Sequence, residues 1–101
     1  MPYYIALIHK DANSGYGVSF PDLPGVVTAA DTIDEALRKA PVVLEFAADD
    51  WRAHTGSEFP APRSIDELRA DLNFQEDAVD AVIAAIPFRA KVDAAEQHTS
   101  Q

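Results

Sequence analysis

The sequence predicts an α+β domain: an antiparallel three-stranded meander, one main helix over it, and a terminal segment of undecided type. Three observations carry this. Apolar β-formers recur in three short runs with short connections before residue 31. A capped amphipathic helix pattern follows. The 101 residues suffice for one such unit and are short for two.

Residues 3–9, from Tyr3 to His9, form the first predicted strand. Both of its faces are apolar, which suits a central or well-covered position. Lys10 to Gly15 is polar and reads as a hairpin loop. In the second strand, residues 16–20, Tyr16, Val18 and Phe20 alternate with Gly17 and Ser19. That period marks one buried face. Pro21-Asp22-Leu23-Pro24-Gly25 stops ladder pairing, and Pro24-Gly25 suits the centre of a type II turn. Residues 26–30 are the third strand.

Thr32-Ile33-Asp34-Glu35 has the form of a capping box, with acids at the positive end of the helix dipole. Ile33, Ala36, Leu37, Ala40, Leu44, Ala47, Ala48 and Trp51 then recur at helical spacing. Pro41 interrupts this pattern. It removes a donor and crowds the Leu37 carbonyl, which predicts a kink, or a helix restarting at Pro41. Ser64-Ile65-Asp66-Glu67 is a second capping box and predicts a short helix to about Leu72. Residues 79–88 fit helix and strand periods alike. The tail from Arg89 is polar, and fraying is expected there.

Charge and composition narrow the function. Eight Lys and Arg stand against seventeen Asp and Glu, for a net charge of −9. Such a chain repels phosphate backbones and attracts basic partners. With no cysteine, thiol chemistry and Cys-type metal sites are excluded, which suits the cytoplasm. No signal peptide or membrane span is visible. The glycines form no phosphate loop, and no serine has a nucleophile-elbow context. His9, His54 and His98 are not at metal-ligand spacing.

The run from Tyr16 to Leu37, with Phe20-Pro21-Asp22-Leu23-Pro24-Gly25, then Asp31-Thr32 and Glu35-Ala36, resembles the signature of HicB-family antitoxins. Tyr4 to Ile8 is similar to that family's first strand, and Ala85-Ile86-Pro87-Phe88 to its terminal strand. The resemblance implies a partial RNase H-like β-β-β-α-β fold over residues 1–88, without nuclease activity, and makes residues 79–88 a strand. It also implies a partner: a small basic HicA-like toxin that cuts messenger RNA. Longer members continue into a DNA-binding domain. Here residues 89–101 offer only Arg89 and Lys91 against Asp93 and Glu96, so operator binding is not expected of this chain. The expected function is antitoxin by occlusion, with no catalysis and no cofactor.

Two segments are candidates for partner contact. Asp22 and Leu23 lie between rigid prolines and are either a recognition loop or a structural turn fixing register. Asp49, Asp50 and Trp51 put two acids beside an aromatic, a hot-spot type; alternatively Trp51 finishes the core stripe. A nuclease would need carboxylates converging on metal ions, with Asp11, Asp22 and Asp31 the candidates; turn and cap roles explain all three. One helix covers one sheet face. If Tyr4, Ile8, Gly17, Ser19 and Thr28 share the other, it needs cover from the terminal segment, the toxin or a second subunit, and a homodimer is expected.

Overall fold

The computed structural model describes residues 2–10 and 15–89. Four strands, β1 (Tyr3–Lys10), β2 (Tyr16–Ser19), β3 (Val27–Ala30) and β4 (Val82–Pro87), form one antiparallel sheet in the order β3-β2-β1-β4. The strand apolar on both faces, β1, is therefore central. Residues 79–88, undecided by period, contribute an edge strand. Pro87 is tolerated there because its nitrogen faces the open side of the edge strand; the next amide, that of Phe88, is the one that donates toward β1, to the Pro2 carbonyl at 2.9 Å.

Between β3 and β4 come α1 (Ile33–Thr55), α2 (Ile65–Arg69) and α3 (Leu72–Asp77). The Thr32 hydroxyl accepts the Glu35 amide at 3.1 Å. Glu35 reaches past Thr32, however, and accepts the Asp31 amide at 2.8 Å, so the expected box closes one residue early. Pro41 neither ends nor restarts α1, which runs unbroken to a left-handed Gly56 at φ 71°. Ala36, Ala40 and Leu44 are fully buried on both sides of the proline. This packing holds the two halves in one helix despite the lost donor.

The second capping box is complete: Ser64 accepts the Glu67 amide, and Glu67 accepts the Ser64 amide. Its helix is shorter than expected. It stops at Arg69, and Asp71 caps the separate α3 by accepting the Asn73 amide at 2.8 Å.

Residues directly opposite one another in the sheet share a face. Ile8 faces Val18, Val18 faces Thr28, and Tyr4 faces Ile86. These lie on the α1 side, where Tyr4, Ala6, Ile8, Val18, Ala36, Ala40, Leu44 and Ile86 form the larger core. Leu7 faces Ser19, and Gly17 faces Ala29, on the other side. The expected grouping of Tyr4, Ile8 and Thr28 with Gly17 and Ser19 is thus wrong: the pleat separates them. The second face is covered by the chain itself around Leu7, while Val27 and Ile83 on the same face stay exposed. Leu68 of α2 and Phe74 of α3 pack on Leu7, flanked by Ile5 and Ile65.

Candidate partner-binding site

The Pro-Asp-Leu-Pro-Gly segment is two consecutive turns. The Leu23 amide donates to the Phe20 carbonyl and the Val26 amide to the Leu23 carbonyl, both at 3.0 Å. Gly25, at φ 88°, supplies the positive angle that a type II turn needs at its third residue. This geometry turns Leu23 inward, where it is fully buried in the larger core. Leu23 is therefore a core side chain and is withdrawn from the contact candidates.

Asp22 is likewise directed into the protein. Its carboxylate accepts the Arg63 backbone amide at 2.8 Å and Arg63 Nε at 2.6 Å. Only 6% of its side chain is exposed. Arg63 also donates from Nη1 to Asp71 at 3.0 Å. One guanidinium thus ties the turn to the α3 cap. Its hydrogen bonds hold the Asp71 carboxyl below its ordinary range, and those of both acids raise the Arg63 pKa further. The charge of Asp22 is spent internally, so its role is to set the turn's shape.

Asp49, Asp50 and Trp51 lie at the other side of the same feature. An open groove of about 680 Å³ runs between the turn and the C-terminal half of α1. Pro24, Gly25, Val26 and Val27 form one wall; Val43, Phe46, Asp49, Asp50 and Trp51 are on the other. The groove brings the residues that follow Asp22 and Leu23, not those two themselves, beside residues 49–51. Asp49 and Asp50 are exposed, and Phe46 is 70% exposed.

Trp51 borders the groove and also packs against the interior. It is partly buried, edge-on to Phe59 at 5.7 Å, and Phe59 packs on Tyr4 and Phe88 at 5.6 and 5.5 Å. Tyr4 donates its hydroxyl to the Pro60 carbonyl at 2.6 Å. Burial first, and the Asp22 charge second, push the Tyr4 phenol pKa up. The aromatic cluster anchors Trp51 as part of the groove wall. Neither Phe46 nor Phe59 was singled out from sequence. Phe46 falls off the core stripe by helical phase, and that phase error was the available signal.

The nuclease candidates are not assembled. Asp22 is engaged by Arg63, and Asp31 precedes the α1 cap, while Asp11 and the tail residue His98 lie outside the described residues. Among the described residues no group of three or more His, Asp or Glu is placed to hold a metal ion. His9 meets the Asp77 carbonyl at 2.7 Å, a link between β1 and α3.

The described residues thus form a four-stranded antiparallel sheet under one long helix, with an acid-lipped, largely apolar groove between that helix and the turn. The model of the HicB_like antitoxin family of bacterial toxin-antitoxin systems matches residues 4–98. The chain belongs to that family. It is similar to the Burkholderia pseudomallei antitoxin HicB, at 24% identity and TM-score 0.64, over 99% of this chain and 80% of that one. The N-terminal domain of the same antitoxin gives 26% identity and TM-score 0.65, over 86% and 98%. A chain of a HicA3 and HicB3 toxin-antitoxin complex shares the fold at 20% identity and TM-score 0.63, over 86% and 98%. No protein of curated function matches the chain.

Proposed function

We propose that this chain is the antitoxin of a type II pair and neutralises a small basic HicA-like toxin by occluding it in the cytoplasm. Family membership supports an antitoxin and a non-enzymatic role. Two structural neighbours are toxin-antitoxin complexes, one of them from Streptococcus pneumoniae. The observation that carries the reading here is the groove. Asp49 and Asp50 place negative charge at the lip of a largely apolar trough walled in part by Trp51. A basic protein is steered to such a lip, and an aromatic anchor holds it. The net charge of −9 adds a long-range attraction for a basic partner.

Co-expression with the small basic protein encoded beside it tests this. The expected result is a copurifying, salt-sensitive complex and rescue of growth under toxin expression. A toxin that neither copurifies nor is silenced refutes the reading and leaves a HicB-like domain serving another partner.

A further inference from the structure

The outer side of α1 carries a second pattern. Arg38, Val42, Phe46 and Asp49 fall at helical spacing on the side away from buried Ala36, Ala40 and Leu44. Lys39 and Asp50 flank this ridge. Val42 is 50% exposed and Phe46 70%, large apolar groups left in water along this ridge; Leu37, 41% exposed, lies off it.

The ridge is symmetric about Leu44. Val42 and Phe46 lie two residues to either side of it. Lys39 and Asp49 lie five to either side, and Arg38 and Asp50 six. The charges have opposite sign across the centre. A ridge with this pattern is complementary to itself turned around. When two such helices pack antiparallel about a two-fold axis, Val42 of one meets Phe46 of the other, and Arg38 and Lys39 meet Asp50 and Asp49. The two helix dipoles are also opposed, which favours the antiparallel arrangement.

We infer that α1 forms an isologous, antiparallel contact with α1 of a second copy of this chain, centred at Leu44. The charge order selects that occupant. A uniformly basic partner would gain from Asp49 and Asp50 but be opposed by Arg38 and Lys39, whereas a second copy satisfies both ends. Lys39 already donates to the Ala29 carbonyl at 2.9 Å, and Asp50 meets His54 at 3.1 Å. Arg38 with Asp50 is therefore the pair that defines register, its exposed helix-internal histidine contact yielding to the guanidinium. Phe46, Asp49 and Asp50 also line the groove of the toxin reading, so the two associations compete. The inference does not rest on that reading, and its test uses the chain alone.

Sedimentation equilibrium of the full chain, from micromolar to near-millimolar concentration, is the first measurement. A monomer–dimer equilibrium is expected. Phe46→Glu should abolish it while leaving the circular dichroism unchanged. Arg38→Asp and Asp50→Arg should each weaken dimerisation by about tenfold or more, each counting twice across the two-fold axis. The double reversal should restore it to within about threefold. Because the chain has no cysteine, Val42→Cys and Phe46→Cys variants report register directly. Mixed, they should form the heterodisulfide faster than either alone forms its own. A monomer throughout, a dimer indifferent to Phe46→Glu, or a double reversal that fails to restore association overturns the inference. If Phe46→Glu instead removes only toxin binding, the ridge belongs to the toxin.

Discussion

One face of the sheet lies under a single helix of 23 residues, the other under two helices of five and six. The long helix buries Ala36, Ala40 and Leu44 on a continuous stripe. The short pair contributes one buried side chain each, Leu68 and Phe74, to a cluster centred on Leu7. The first cover is self-sufficient in its patterning. The second is fastened by polar contacts as well: Arg63 ties it to the turn through Asp22 and to α3 through Asp71, and His9 links β1 to the end of α3. The large cover also has a polar tie, Lys39 of α1 to the Ala29 carbonyl of β3, but an exposed one, whereas the Asp22 carboxylate of the small cover is nearly buried.

Truncations compare the two covers most directly. Leu44→Ala removes a fully buried side chain from the larger core and is expected to cost about 3–4 kcal/mol. Leu68→Ala, equally buried but beneath short helices that can settle, should cost about 2–3 kcal/mol. Denaturant melts give both values, and a larger loss from Leu68 would break the comparison. Asp22→Ala follows, at about 2 kcal/mol, since it strands the Arg63 amide and frees the guanidinium. The same variant should raise amide exchange in α2 and α3 more than in α1. Uniform exchange would show that the fastener is not specific to the small cover.

The smallest expected effect is on pH dependence. Hydrogen bonds from Arg63, then from the Asn73 amide, hold the Asp71 carboxyl below its unfolded value. A depressed carboxyl stabilises the fold above the unfolded value, and this contribution disappears as pH falls through the folded one. The stability gap between the native chain and Asp71→Asn should be widest at neutral pH and close across that acidic interval. A gap independent of pH would remove the ionic part of the α3 fastening.

Legibility in the sequence follows the same division. The three-stranded meander shows because Tyr16, Val18 and Phe20 alternate and Pro24-Gly25 can do little but turn. The onset of α1 shows because Thr32 and Glu35 announce a cap. Residues 64–78 show a capping box and a short helical spacing at Ile65, Leu68 and Leu72, but hide what they cover, because so short a pattern does not say which face of the sheet it meets and Phe74 stands off it. Asp71 reads as one more surface acid until its position before Leu72 makes it a cap. The site was half legible. Asp49, Asp50 and Trp51 stand out by composition, and they do border the groove with Pro24 and Gly25. The inward course of Asp22 and Leu23 was not legible, since one turn sequence suits a presented loop and a buried one equally.

The most direct test of the antitoxin reading is the affinity of the chain for its basic partner, measured with the native protein and with an Asp49→Lys, Asp50→Lys variant at low and high salt. These side chains are exposed, so the fold should survive. The reading predicts binding weakened by about tenfold or more at low salt, with much of the salt dependence gone. Unchanged affinity and unchanged salt dependence would contradict it and place the toxin elsewhere on the domain.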